Sequence, residues 1–350
     1  MESEPFNVQA KLKRIDRSVF VDNHYSPKSS YLSKKELNFA KNSSIIKEFT
    51  KRRSCTLKEL AYYDGAFLPL DTYAVHLEDR GFQFGDGVFE TIRVYDGKCF
   101  ALKEHLDRYR RSMRELAIPI TDADAELVGV FFELIEKTEI KDGIIYFQLT
   151  RGTSPRSYLP PKINLPHLSV IIRDVPIHTD WQEQGIRAAL VEDIRWLRCD
   201  IASLNLLGNV LAAEESRKKN AKKALFFRKE KNTVTEGEDA NFFVVKDEVL
   251  WTHPANEMIL NGVTRTIIKE KLAPALGLTV VEKTLTPDFV KGVEEAFFTN
   301  TADEIVPMTM LDRDAIADGT SGKITKKLLA AYKEHVKEEL SKPLDLSSRD

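Results

Sequence analysis

The chain has 350 residues, 42% of them hydrophobic, and a formal net charge of −2 at pH 7. That length is enough for a large core and favours two domains, and the near-neutral balance lacks the basic signature of a nucleic-acid binder. No apolar run reaches the ~18 residues of a membrane span, and the N-terminus lacks the pattern of a signal peptide.

Residues 1–57 hold twelve Lys/Arg against six Asp/Glu, with a basic cluster at Lys51-Arg52-Arg53. Apolar periodicity is poor there, so a flexible or loosely docked basic extension is expected; Glu2 and Glu4 argue against an organelle transit peptide. From Ala61 the pattern becomes regular. Phe89–Tyr95 alternates as a strand, Asp96-Gly97 reads as a hairpin turn, and Cys99-Phe100-Ala101 begins the return strand. Leu102, Leu106, Tyr109, Met113 and Leu116 recur at helical spacing, and Leu127, Val130, Leu134 and Ile135 mark a second helix. Gly143–Leu149 and His167–Ile172 read as strands, and Pro176–Trp181 as a connector. A small domain over 58–177 is expected.

The second half opens with a strand at Arg187–Val191. A helix is expected from Ser203 to about Lys219, with Leu204, Leu207, Val210 and Leu211 facing inward. Ala224–Phe227 and Asn241–Val245 read as strands, Val244–Leu250 as a hairpin, and Ala296–Thr299 as a buried strand. A helix opens near Val263, after Gly262, and Ile324–Leu340 closes the body. This half is read as a larger domain over 178–341, followed by a tail at 342–350. Mixed strands and helices make the whole α+β. Cys55, Cys99 and Cys199 lack metal-ligand spacing, so no metal is expected, and a sparse odd set suits reduced thiols in a cytoplasmic protein.

Several segments carry residue types suited to an anionic ligand. Arg108 offers a forked, always-charged contact, although a helix that also holds Arg110, Arg111 and Arg114 makes a surface arginine the plainer reading of spacing alone. Gly262-Val263-Thr264 opens a helix whose free N–H groups favour a phosphate, or is an ordinary helix start. Glu236, beside Gly237, reads from the residues alone as a solvated turn acid.

Taken in order, the motifs form a more specific set. They are 79–90 (Asp-Arg-Gly-Phe-Gln-Phe-Gly-Asp-Gly-Val-Phe-Glu), Glu104-His105-Leu106-Asp107-Arg108, 150–156 (Thr-Arg-Gly-Thr-Ser-Pro-Arg), 201–205 (Ile-Ala-Ser-Leu-Asn), Thr233–Gly237, Thr252–Asn256 and 259–265 (Ile-Leu-Asn-Gly-Val-Thr-Arg). Together they resemble the class IV (fold type IV) pyridoxal-phosphate aminotransferases, and within them the D-amino-acid transaminases, across about Leu60 to Leu340. The resemblance implies a small α/β domain, a larger domain with a barrel-like sheet, a homodimer, and transfer of an amino group between an amino acid and a 2-oxo acid. It assigns the cofactor phosphate to Arg108, Val263, Thr264, Thr301 and Ala302, the ring nitrogen to Glu236, and the ring face to Leu260. A carboxylate beside that nitrogen keeps it protonated, so that the ring draws electrons. The substrate carboxylate falls to Arg156 on a loop reaching the neighbouring subunit, with Tyr146 nearby. This chain departs from the D-specific pattern twice: Tyr158 replaces a histidine, and Phe89 replaces a tyrosine that donates a hydrogen bond.

The largest departure is at 202. The family carries Ile-Lys-Ser-Leu-Asn, and its lysine holds the cofactor and moves a proton. Here the position is Ala202. Two origins stay open: an engineered replacement in an active transaminase, favoured by retention of Arg108 and Glu236, or a natural lysine-less homologue that binds the cofactor or serves as an interaction protein through its basic arm. Branched-chain L-amino-acid aminotransferases and 4-amino-4-deoxychorismate lyase share the implied fold and are the alternative enzyme classes.

Overall fold

A computed structural model describes residues 60–119, 124–163 and 165–343. The expectations for the basic extension, Cys55 and most of the C-terminal tail fall outside them. The described residues belong to one compact unit, 55–350.

The first sheet contains β1 (Leu60–Tyr63), β2 (Ala66–Pro69), β3 (Gly87–Tyr95), β4 (Lys98–Cys99), β5 (Gly143–Thr150) and β6 (His167–Asp174), in the order β2-β1-β6-β5-β3-β4. Short helix α1 (Arg80–Phe84) precedes β3; Asp79 caps it by accepting the Phe82 N–H at 2.8 Å, and Gly85 ends it in the left-handed region at φ 68°. The β3–β4 turn uses Asp96 and Gly97 at φ 45° and 73°, a pairing whose twist matches the flanking strands. Helices α2 (Leu102–Glu115) and α3 (Asp124–Thr138) then cover one face.

The alternation along β3 positions the site. Val88, Ile92 and Val94 join a core with Leu102, Leu106 and Met113 of α2, and Glu90 reaches the same helix. Phe89, Thr91, Arg93 and Tyr95 take the opposite face. β5 pairs with β3 without a register shift, setting Tyr146 opposite Thr91 and Gln148 opposite Phe89 on that same face.

The second sheet is formed by β7 (Ile186–Glu192), β8 (Lys223–Arg228), β9 (Thr233–Gly237), β10 (Asn241–Lys246), β11 (Val249–Thr252), β12 (Thr279–Glu282), β13 (Glu295–Asn300), β14 (Glu304–Leu311) and β15 (Asp314–Ala315). Its order is β12-β11-β10-β13-β14-β7-β8-β9, with β15 on β14. The Val234 N–H donates to the Leu285 carbonyl at 2.7 Å, joining β9 at one end of this path to the chain just past β12 at the other. The sheet therefore curls into the barrel-like form expected, around Leu225, Phe242, Val244, Phe298 and Val306. Helices α4 (Thr179–Gln184), α5 (Leu207–Lys218), α6 (Val263–Ile267, continued by a π turn to Leu272 and on to Ala275), α7 (Pro287–Lys291) and α8 (Lys323–Leu340) complete it.

Several expectations change. Leu207, Val210 and Leu211 do not face inward: α5 presents them to the outside of the chain, Leu207 at 69% exposure, and buries the small Ala212 and Ser216. The return strand is only β4, because Phe100 and Ala101 already turn into α2. In α3 the buried stripe is Leu127, Val128, Phe131 and Leu134, with Val130 and Ile135 only partly covered. The connector 176–181 runs into α4. No helix of the described residues is long and apolar enough to cross a membrane, and no cluster among them has the ligands for a metal ion.

Candidate active site

The expected site residues fall into three linked groups and one separate one. The first centres on Glu90. Its buried carboxylate takes two bonds from Arg108, at 2.6 Å from Nε and 2.8 Å from Nη2, and a contact from His105 Nδ1 at 2.9 Å. Burial alone would raise the Glu90 carboxyl, but the Arg108 charge and bonds, with His105, outweigh it and hold it at about 2. Arg108 is thereby fixed as a fork, with Nη1 also donating to the Asn261 carbonyl at 3.3 Å.

The second group centres on Glu236 at the end of β9. Arg195 Nη1 donates to Oε1 at 2.7 Å, Asn241 Nδ2 to Oε2 at 2.9 Å, and the Leu260 N–H approaches both oxygens at 3.2–3.3 Å. Burial nevertheless pushes this carboxyl up to about 7, against the pull of Arg195 and the Leu260 N–H. Asn241 also donates to the Leu260 carbonyl at 2.7 Å and accepts the Gly262 N–H at 3.0 Å. It thus ties Glu236 to the start of α6, where Val263 and Thr264 are buried. A Cβ on Gly262 would lie 2.1 Å from Asn241 Oδ1, so only glycine fits. No side chain caps the first turn of α6, leaving its N–H groups for an anion. Thr264 Oγ1 donates to the Asn300 carbonyl at 3.1 Å, placing this helix start beside half-buried Thr301 and Ala302.

The third group is Ala202 and Phe89. Ala202 is 2% exposed. Its carbonyl accepts the Phe89 N–H at 2.8 Å, and its N–H donates to Ser112 Oγ at 3.2 Å. Residue 202 is therefore strapped between β3 and α2, the elements that carry Glu90 and Arg108. Phe89 stacks on Tyr146 with ring centroids 5.8 Å apart. The Tyr146 hydroxyl donates to Gln148 Oε1 at 2.8 Å, and burial pushes its pKa up to about 12, making it a weaker acid.

Arg156 and Tyr158 stand apart from these groups, packed on α1. Arg156 Nη1 donates to Gln83 Oε1 at 3.2 Å, its guanidinium lies 4.6 Å from the Phe84 ring centroid, and Tyr158 leans on the same ring at 5.7 Å. Arg80, itself paired with Asp86, holds the loop through the carbonyls of Ser157 and Tyr158. Tyr158 remains 88% exposed.

Three comparisons bear on this arrangement. The model of the amino-transferase class IV family matches residues 87–311. The chain belongs to the class IV aminotransferases. It is 40% identical over 280 residues to the D-alanine aminotransferase of Staphylococcus aureus (strain N315), covering 79% of this chain and 98% of that one. Among solved structures, the Escherichia coli branched-chain amino acid aminotransferase superposes with a TM-score of 0.74 at 25% identity, over 80% of this chain and 95% of that chain. The T.th. branched-chain amino acid aminotransferase complexed with N-(5'-phosphopyridoxyl)-L-glutamate also gives a TM-score of 0.74, at 26% identity over 80% of this chain and 94% of that chain.

Class IV aminotransferases use pyridoxal phosphate, and the groups present suit it. The uncapped start of α6 and the fixed Arg108 fork offer donors to a phosphate, and a buried carboxyl poised near neutrality suits a ring nitrogen. Residue 202, an alanine, offers no amine to a ligand. Sequence reading missed Arg195, Asn241 and Glu90 as the side chains that fix Glu236 and Arg108. Asn241 lies five residues beyond Glu236, so its role was within reach; the Arg195–Glu236 pair spans 41 residues and left no local signal.

Proposed function

We propose that this aminotransferase binds pyridoxal phosphate without a covalent bond to residue 202, and that its scaffold serves amino-group transfer between a D-amino acid and a 2-oxo acid. The Glu236 constellation carries the reading: a buried carboxyl pushed up to about 7, held by Arg195, Asn241 and the Leu260 N–H and tied through Asn241 to the start of α6, suits the ring nitrogen of a cofactor whose phosphate sits at that helix start. In this reading Arg108, Val263, Thr264, Thr301 and Ala302 hold the phosphate, Leu260 packs on the ring, and the cofactor supplies the electron sink. Phe89, Tyr146, Arg156 and Tyr158 face the substrate. Similarity to D-alanine aminotransferase supports the D-preference. Without a lysine amine to hold and move the proton at residue 202, turnover falls by at least about 10²–10⁴-fold.

The active unit is a homodimer, with Arg156 and Tyr158 serving the partner's site. The exposed apolar side chains support this: Leu207, Val210 and Leu211 on α5, Ile194 and Leu197 before it, and Tyr158, Leu159 and Ile163 on the Arg156 loop. The presence of two separate sheets supports a division into two domains near residue 177, and free Cys99 and Cys199 suit a cytoplasmic setting.

Absorbance titration with pyridoxal phosphate tests the binding. A cofactor band is expected, and borohydride reduction should leave no pyridoxyl group on residue 202. Ala202→Lys should restore transamination, with D-alanine or D-glutamate turned over faster than the L-forms. A restored enzyme working only on branched L-amino acids would replace the D-assignment with the branched-chain alternative.

A further inference from the structure

The hairpin between β13 and β14 closes on a residue that is unfavourable in its place. Asn300 pairs with Glu304, and Thr301, Ala302 and Asp303 form the turn between them. Glu304 lies in the left-handed region at φ 64°, which glycine or asparagine enters at least cost. It is also 2% exposed, and the two bonds to its carboxylate come from neutral donors: the Tyr95 hydroxyl to Oε1 and Gln182 Nε2 to Oε2, each at 2.9 Å. Burying a carboxylate on neutral donors is a second cost. A glycine would carry neither cost. What the glutamate adds is a set of bonds around the turn. Gln182 Nε2 also donates to the Asp303 carbonyl at 2.9 Å, and Gln182 Oε1 accepts Lys333 Nζ of α8 at 2.8 Å. In the other direction, the buried Tyr332 hydroxyl of α8 is within hydrogen-bond reach of the Tyr95 and Thr264 side chains. Thr264 Oγ1 donates to the Asn300 carbonyl at 3.1 Å. The circuit from Glu304 through Tyr95, Tyr332 and Thr264 to Asn300 thus returns to the hairpin where it began.

We propose that Glu304 is a positioning residue for the phosphate cup: its side chain fixes the turn that presents the Thr301 and Ala302 N–H groups and ties it to the start of α6. The inference rests on the functional reading above, in which Val263, Thr264, Thr301 and Ala302 hold the cofactor phosphate. Neither the Thr301 nor the Ala302 N–H donates to a group among the described residues. The carbonyls at the two ends of the turn, by contrast, are taken by Thr264 and Gln182. An anion held there draws donors from two separate segments, and each charge-assisted bond is strong only if its donor is already aimed. With glycine or asparagine at 304 the backbone can still enter the left-handed region, but no side chain joins the turn to both Tyr95 and Gln182.

The test measures affinities for pyridoxal phosphate and for pyridoxal, which lacks the phosphate, by calorimetry on the full chain with Ala202 in place. Glu304→Gly and Glu304→Asn should each lose affinity for pyridoxal phosphate by about 10- to 100-fold, the range expected for charge-assisted bonds. Their affinity for pyridoxal should match the parent's. Glu304→Gln, which keeps the reach and an acceptor for Tyr95, should retain most of the affinity. Tyr95→Phe removes one bond to the Glu304 carboxylate and should cost about 3- to 10-fold, again for the phosphate form alone. If the glycine and asparagine variants fail to fold, Tyr95→Phe decides, and an unchanged affinity there overturns the proposal. Unchanged affinity for pyridoxal phosphate in folded Glu304→Gly and Glu304→Asn also overturns it. Equal losses for both ligands do the same, making Glu304 a support of the fold at large. A parent that binds pyridoxal as tightly as pyridoxal phosphate has no phosphate site; that result is seen before any variant is made and overturns the functional reading together with this proposal.

Discussion

Replacing Glu90 with glutamine tests how Arg108 is held. The carboxyl sits at about 2 in the folded chain against an ordinary 4.5, so the fold favours its charged form. Because the folded value is depressed, the stabilisation is full above pH 5 and is lost as pH falls through 4.5 toward 2. The gap, at ~1.4 kcal/mol per pH unit, corresponds to about 3 kcal/mol. Glu90→Gln keeps the shape but gives Arg108 and His105 a neutral partner, so it should lower stability at pH 7 by about 3 kcal/mol, near the range for breaking a buried pair. Urea unfolding of parent and variant between pH 7 and pH 3 provides the measurement. Other depressed carboxyls, such as Asp86 and Asp200, act in both proteins and cancel in the difference. The difference should shrink by about 2 kcal/mol between pH 5 and pH 3. Equal midpoints at pH 7, or parallel acid decline, would show that the Arg108–Glu90 fork contributes no charge-dependent stability.

Glu236 has the opposite sign: its folded value of about 7 lies above the ordinary 4.5, so stability should fall as pH rises from about 4.5 to 7. Glu238 is also pushed up, by burial and then Asp239, so Glu236→Gln should remove only part of that slope; an unchanged slope in urea midpoints counts against a buried, titrating Glu236. In protein carrying Ala202→Lys, mixing an Arg156→Ala protomer with a Glu236→Ala protomer should regenerate one intact site per dimer. Failure to complement despite demonstrated subunit exchange would mean that Arg156 serves its own chain or has another job.

Where local pattern decided structure, the sequence was readable. The β3 alternation, the Asp96-Gly97 turn, the stripe of α2 and the start of α6 after Gly262 all rest on spacings of a few residues. The helix α5 stripe shows the limit of that reasoning. Leu207, Val210 and Leu211 recur as a buried face should, but periodicity says only that a face is apolar, not whether this chain covers it. Strand β14 is hard to read for another reason. Pro307 sits between β13 and β7, where a proline is normally excluded; here it pairs with Phe297, and a register shift at Met308/Met310 loosens the ladder beside it.

The same logic applies to the cradle around residue 202. Ala202 is held through its own backbone, its carbonyl accepting the Phe89 N–H and its N–H donating to Ser112 Oγ. None of the bonds that fix Arg108 or Glu236 passes through the 202 side chain; they run through Glu90, Asn261, Arg195, Asn241 and Leu260. Removal of a lysine side chain would therefore delete the amine and leave the phosphate and ring contacts in place. Ala202→Lys leaves those backbone bonds available, since neither uses the 202 side chain.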